Sequence, residues 1–175
     1  GHGGFGTPRT FAPQIGLNAQ LLRIADAQGD GRGDLLAAFT PFGTAYSARF
    51  VVLLQNQAGG FDTVDTSLAA LRGIDGFVIT DLNSDGRPDL ASTGFFPVGS
   101  PTQVRSNTNV LLHAEGASYR APAVYSMPSP MVHVDAADLD GDGRIDLVLL
   151  GSENRAFVMR QSPDAPGTFL APEGL

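Results

Sequence analysis

The sequence of 175 residues has no cysteine, which excludes disulfides and thiolate chemistry without fixing a compartment. Basic residues are scarce, 11 against 18 acidic ones, and the resulting net charge of −7 argues against nucleic acid as a partner. No run of about 20 apolar residues reads as a membrane span, and no leader peptide is visible. Helical periodicity is missing too. No Ser-His-Asp ordering, paired catalytic acids or phosphate-cradling glycine loop stands out, so the chain does not read as an enzyme. What is abundant is hydrophobic content, 42%, enough for a sizeable core, together with 22 glycines and 12 prolines spread along the chain. Such a composition predicts a folded, mostly β protein of many turns.

The acidic residues are concentrated. Asp138-Leu139-Asp140-Gly141-Asp142-Gly143-Arg144-Ile145-Asp146 places carboxylates at positions 1, 3, 5 and 9 of a nine-residue loop, with glycine at position 6. Hard oxygens gathered at one sharp turn repel one another unless a cation lies between them, and six to eight oxygens at roughly 2.3–2.6 Å are what Ca²⁺ takes. An EF-hand starts the same way but needs a bidentate Glu at position 12 and flanking helices. Position 12 here is Leu149, and the flanks are short β-branched and aliphatic runs, so the loop belongs to a β-hairpin.

The loop recurs. Asp81-Leu82-Asn83-Ser84-Asp85-Gly86-Arg87-Pro88-Asp89 and Asp26-Ala27-Gln28-Gly29-Asp30-Gly31-Arg32-Gly33-Asp34 repeat the pattern, with starts at 26, 81 and 138. A spacing of that size marks a repeated supersecondary unit. Ten of the 18 acidic residues lie in the three loops, and three bound Ca²⁺ would bring the charge from −7 to −1. The acidity therefore reflects metal sites and says little about a partner.

Each unit reads as four strands. Strand A carries apolar residues two and four positions before the first Asp (Ile24 and Leu22, Ile79 and Phe77, Ala136 and Val134), the period-2 pattern of a strand. Strand B follows the loop at Leu35, Leu90 and Leu147. Strand C is expected at 50–54, 109–112 and 156–159, and strand D is announced by an aromatic after a turn, Phe61, Tyr119 and Phe169. The units divide as 19–68, 69–126 and 127–175. Residues 1–18 read as the last strand of a preceding unit, because Thr10-Phe11-Ala12-Pro13 matches Thr168-Phe169-Leu170-Ala171-Pro172.

Radially repeated four-stranded units are a β-propeller signature. The D-x-[DN]-x-D-G-x-x-D-L pattern with its Gly-Thr-Phe-type turn resembles the FG-GAP/VCBS repeat family, the calcium-binding propeller repeats of integrin α-subunits, some lectins and large secreted bacterial proteins. The resemblance covers 19–175 in three copies and implies all-β propeller blades, three of them plus one orphan outer strand. It implies up to three Ca²⁺, held by Asp138, Asp140, Asp142, Asp146 and the Arg144 carbonyl; by Asp81, Asn83, Asp85, Asp89 and the Arg87 carbonyl; and by Asp26, Gln28, Asp30, Asp34 and the Arg32 carbonyl. Gln28 departs from the pattern, so the first site is expected to be the weakest. An Asx-turn network without metal is the competing reading of the loops.

If strand A descends into the calcium loop, the B–C and D–A connections share the opposite end. There the sequence carries Phe42 and Tyr46 in one B–C loop and Phe95, Phe96, Arg105 and Asn107 in the next. Flat apolar faces beside planar amides suit sugar or peptide recognition, although phenylalanines also plug gaps between blades. His113 and His133 read as surface or satisfied core residues, and Arg72 with Asp75 as a solvated pair. The expected function is a calcium-stabilised recognition module, extracellular or at the cell surface, that binds a glycan or protein through this end. Alternatives are the propeller of a polysaccharide lyase, for which three of only 11 basic residues are already inside the loops, and an architectural segment of a large toxin or adhesin. Three blades fall short of a ring, so the chain is expected either to be part of a larger propeller or to self-associate as a dimeric ring.

Overall fold

The computed structural model describes residues 17–41, 49–64, 71, 73–115 and 118–175. Among them the protein is all β: three four-stranded antiparallel sheets, each a simple meander, and no helix. The first sheet runs β1 (Leu17–Ala25), β2 (Asp34–Pro41), β3 (Arg49–Gln55), β4 (Phe61–Val64). The second runs β5 (Gly76–Thr80), β6 (Asp89–Val98), β7 (Ser100–Leu111), β8 (Ala123–Met127). The third runs β9 (Met131–Ala137), β10 (Asp146–Gly151), β11 (Ala156–Met159), β12 (Glu173–Gly174).

Each Asp-rich loop joins the first two strands of its sheet. Register places the ninth loop residue opposite the residue before the loop, Asp34 with Ala25, Asp89 with Thr80 and Asp146 with Ala137, so the three loops occupy the same end of their sheets.

The sheets stack in sequence order, β1 lying against β5, and β5 and β6 against β9. Alternation along the strands supplies each stack with two apolar faces. Between the first and second sheets pack Leu36, Ala38, Phe50, Val52, Phe77, Leu90 and Leu111, with the Phe50 and Phe77 rings edge to face at 5.2 Å. Between the second and third pack Ala91, Val110, Val134, Leu147, Leu149, Phe157 and Met159. Phe77 is fully buried, and an aromatic of that kind removed to alanine costs about 3–5 kcal/mol. Ala37, Val51 and Leu53 form a separate buried cluster on the other face of the first sheet.

Two expectations about strands need correction. The stretch holding Phe95, Phe96, Arg105 and Asn107 is a β-hairpin extension and not a loop: β6 continues to Val98, turns at Gly99 (φ +74°), and β7 pairs Phe96 with Arg105 and Gly94 with Asn107. Strand C of that unit is therefore longer than 109–112. In addition, only Phe61 opens a fourth strand directly. Tyr119 and Phe169 make isolated bridges to His113 and Gln161, and β8 and β12 begin further on. Their aromatic rings pack inward, which fixes the chain before the hydrogen-bonded ladder resumes.

The connection into the second sheet crosses β6 at backbone contact. A Cβ on Gly73 would lie 2.4 Å from the Phe95 carbonyl oxygen, and one on Gly94 would lie 2.3 Å from the Gly73 carbonyl oxygen. Only glycine fits at both positions.

Candidate metal loops and the cleft at the opposite end

The three loops share one backbone path. Position 6 is glycine with φ of +82°, +81° and +83° (Gly31, Gly86, Gly143), a region that side chains disfavour. Position 4 is left-handed as well, through Gly29, Gly141 and, at φ 61°, the non-glycine Ser84. This path turns successive N–H groups inward onto the first carboxylate. Asp26 accepts from Gly29, Asp30 and Gly31 at 2.7, 2.9 and 2.7 Å. Asp138 accepts from Gly141, Asp142 and Gly143 at 2.8, 3.2 and 2.9 Å. Asp81 accepts from Asp85 and Gly86 at 3.1 and 2.8 Å.

These donors favour the ionised form. The Gly143 N–H foremost, against a smaller desolvation effect, holds the Asp138 carboxyl below its ordinary range. For Asp26 desolvation is the largest single effect and acts upward, but the N–H groups of Gly31, Asp30, Gly29 and Gln28 together bring it down. Both stay ready to bind a cation.

The fifth-position carboxylate accepts the N–H of the seventh residue at 2.9 Å in all three loops, from Arg32 to Asp30, Arg87 to Asp85 and Arg144 to Asp142. The seventh-position side chains differ in what they reach. Arg32 and Arg144 pair with Asp30 and Asp142, whereas Arg87 donates to the Ala114 carbonyl at 3.2 Å. At position 3 the amides of Gln28 and Asn83 donate to Asp30 and Asp85 at 2.8 and 3.1 Å.

Only the third loop, among the described residues, brings three carboxylates together: ligand oxygens of Asp138, Asp140 and Asp142 lie within 4.8 Å of one another, exposed to solvent. That cluster can hold a metal ion, and its all-oxygen donor set suits a hard divalent cation such as Ca²⁺. A cationic side chain already approaches it. Arg160 Nη1 is 2.7 Å from Asp140 Oδ2 and 3.7 Å from Asp146 Oδ2.

The ninth-position aspartate has a structural task of its own. Asp34, Asp89 and Asp146 are buried, and each spans from its loop to the third strand of its sheet. One oxygen accepts the N–H of loop position 2 (Ala27 2.8, Leu82 2.9, Leu139 3.4 Å) and the other accepts an N–H from the end of the third strand (Gln55 2.8, His113 2.7, Gln161 2.9 Å). Burial pushes the Asp89 carboxyl up, with a smaller push from Asp85 and Asp81, against the opposing pull of the His113 and Leu82 N–H groups. Four of the expected third-site residues thus divide: Asp138, Asp140 and Asp142 converge, and Asp146 braces the loop from beneath.

Sequence reading missed the residues that tie sheet to sheet. His113 Nε2 is 3.0 Å from the Ala27 carbonyl, and Gln161 Nε2 is 2.7 Å from the Leu82 carbonyl. Both acceptors are position 2 of a loop in the preceding sheet. Gln55, His113 and Gln161 are equivalent because each donates its backbone N–H to the ninth aspartate of its own loop; their distances from the loop starts differ, so spacing from the loops does not mark them.

At the other end, roughly 20 Å along β6, lies a cleft of about 350 Å³ walled by Arg105, Ser106 and Asn107 on one side and Met127, Ser129 and Pro130 on the other. Arg105 is exposed and, among the described residues, is the one charged side chain lining it. Ser106 Oγ is committed, donating to the Gly94 carbonyl at 2.9 Å and accepting the Met131 N–H at 3.0 Å. Ser129 Oγ is buried without a hydrogen-bond partner among the described residues. Of the expected ligand residues, Arg105 and Asn107 line this cleft. Phe95 and Phe96 do not: Phe96 is buried, and the Phe95 N–H donates to Asp75 at 3.2 Å. Phe42, Tyr46 and Arg72 lie outside the described residues.

A second cleft, about 450 Å³, runs at the loop end between the first and second loops, bounded by Gln28, Asp85, Arg87, His113 and Glu115. Comparison with protein-family models gives no match, and comparison with curated proteins gives none.

Proposed function

We propose that the protein is a calcium-stabilised recognition module whose three sheets are blades of a β-propeller of the FG-GAP/VCBS type, either part of a larger propeller or half of a dimeric ring. Up to three Ca²⁺ would be held by the Asp-rich loops, and a glycan or protein ligand by the cleft at the opposite end. The observation that carries the ligand reading is that cleft: one exposed guanidinium, one planar amide and an apolar wall at Met127 and Pro130. Such a set suits a hydroxyl-rich ligand carrying an acidic group, because Arg105 can pair with a carboxylate while Asn107 exchanges hydrogen bonds with hydroxyls.

Among the described residues the cleft is lined by one charged side chain, Arg105, which suits pairing with an anionic group of the ligand. Calcium would act at a distance here, through the stability of the sheets. A secreted or cell-surface location fits this role, since millimolar calcium outside cells fills loops of modest affinity.

The test is a glycan array run with calcium and with EDTA, on the wild type and on Arg105→Ala. Binding to an acidic sugar that Arg105→Ala abolishes, with unchanged melting temperature, supports the reading. A blank array moves the ligand to protein. Binding that ignores Arg105→Ala removes the cleft from the account.

A further inference from the structure

The contacts at His113 and Gln161 join with the buried aspartates into one continuous hydrogen-bonded path. It starts at the Asp34 carboxylate, which accepts the Ala27 N–H at 2.8 Å. The Ala27 carbonyl, which can only accept, takes the His113 Nε2 proton at 3.0 Å, and the His113 backbone N–H donates to Asp89 at 2.7 Å. Asp89 also accepts the Leu82 N–H at 2.9 Å, and the Leu82 carbonyl accepts from Gln161 Nε2 at 2.7 Å. The Gln161 N–H then donates to Asp146 at 2.9 Å. Water has little access to this path, since no residue on it from Asp34 to Asp146 is more than 5% exposed.

The path runs through all three loops, and only the second has a neighbour on each side. A loop that opens releases one of two groups. Losing its position-2 carbonyl strands a buried donor of the next sheet; losing its ninth aspartate frees the backbone of the residue that holds the preceding loop. Gln161 makes the tie between the second and third loops closer still. Its Nε2 group serves the Ile145 carbonyl of its own loop at 2.9 Å as well as Leu82 of the second. The turn that follows also presses on the second loop, a Cβ on Gly167 falling 3.1 Å from Asn83 Cβ. The first and third loops share no tie of this kind among the described residues.

We propose that the three Asp-rich loops form a nearest-neighbour cooperative array with the second loop at its centre: order in one loop, imposed by its own hydrogen bonds or by a bound cation, favours order in the next through His113 and Gln161. Each loop is a two-state element, ordered or open, and the contact that differs between the states is the one made by the latch residue. A cation at the second loop then raises the affinity of the first and of the third by roughly 3- to 10-fold, the range of one net hydrogen bond. By linkage, each of them raises the affinity of the second equally. The first and third influence each other only through the second. The cation part rests on the calcium reading above; the coupling of order does not, and is measured without metal.

The test is amide hydrogen exchange of the intact chain by NMR in EDTA, read at the Ala27 N–H in the first loop, Leu82 in the second and Gly143 in the third. Asp81→Ala, which removes the acceptor of the Asp85 and Gly86 N–H groups, loosens the second loop. The expected result is faster exchange at Ala27 and Gly143 as well as at Leu82, by roughly 3- to 10-fold. Adding Gln161→Leu makes Gly143 indifferent to Asp81→Ala while Ala27 still responds. Adding His113→Leu does the reverse, and His113→Gln, which keeps a donor, keeps the response of Ala27. If one leucine variant fails to fold, the other latch decides. Exchange that changes at Leu82 alone, or a response at Gly143 that survives Gln161→Leu, overturns the proposal. In calcium, calorimetry that shows cooperative filling in the wild type and independent filling in the latch variants supports it, and independent filling in the wild type overturns it. Absence of any binding overturns the calcium reading instead, and the exchange result then decides the coupling by itself.

Discussion

The imidazole of His113 joins two sheets: its Nε2 lies 3.0 Å from the carbonyl oxygen of Ala27, in the loop of the preceding sheet, while its backbone N–H donates to Asp89 at 2.7 Å in its own. One residue thereby couples the order of two Asp-rich loops. Gln161 repeats the arrangement with Leu82 and Asp146, and adds a second carbonyl, that of Ile145, at 2.9 Å.

Removing such a donor leaves buried carbonyls without partners. Gln161→Leu is expected to cost about 2–3 kcal/mol, roughly 5–10 °C in melting temperature, because an unsatisfied buried acceptor loses its full desolvation penalty. At the other latch His113→Gln, which can keep a donor, should cost less than His113→Leu. Thermal melts of the four proteins in EDTA check this, and equal losses for His113→Gln and His113→Leu would remove the hydrogen bond from the explanation.

The two kinds of loop aspartate should separate in a melt. Asp146 is a buried brace between loop and third strand, so Asp146→Ala destabilises the protein with or without calcium, by about 2–4 kcal/mol for two orphaned N–H groups. Asp142 is exposed, so Asp142→Ala removes only the calcium-dependent part of the melting temperature. Gln28→Ala should have the smallest calcium-dependent effect, its loop having one carboxylate fewer than the third.

Arg160 competes with any cation at the third loop. Its guanidinium neutralises Asp140 and repels a second positive charge, so Arg160→Ala should tighten calcium binding there by roughly 3- to 10-fold, an effect that salt weakens. Titration calorimetry at two ionic strengths measures both. A weaker site in the variant would mean that Arg160 positions Asp140 for the ion.

Tyr119 gives a prediction of opposite sign. Its hydroxyl is buried without a partner among the described residues, so Tyr119→Phe should be neutral or stabilise by up to about 1 kcal/mol at pH 7. Desolvation, with help from the Asp89 and Asp34 charges, pushes its pKa up to about 12 from 10.0. The folded state then holds its proton while the unfolded state releases it, so stability is retained below pH 10 and falls as pH rises toward 12. The phenylalanine variant should lose less stability across that window in an alkaline melt series.

Much of this was legible because the signals were local. The loop spacing fixed where each hairpin turns, and alternation at Leu22, Ile24, Phe77 and Val134 marked the strands before the loops. What was not legible depended on distance. The extension of β6 and β7 read as a loop because Gly94, Pro97 and Gly99 interrupt it, yet pairing across the hairpin holds it as strands. Tyr119 and Phe169 were expected to open strands, but packing holds them in single bridges first. The brace role of the ninth aspartate and the latches at His113 and Gln161 depend on partners in other strands or other sheets, which spacing alone does not place side by side.

The measurement that tests the account most directly is a calcium titration of the EDTA-stripped protein, by calorimetry and by melting temperature together. The account predicts saturable binding of up to three ions and a melting temperature that keeps rising with calcium, by about 1.4 kcal/mol of stability per site for each tenfold increase above the dissociation constant. No binding heat, and one melting temperature from EDTA to 10 mM calcium, would contradict it and leave the loops as metal-free turns.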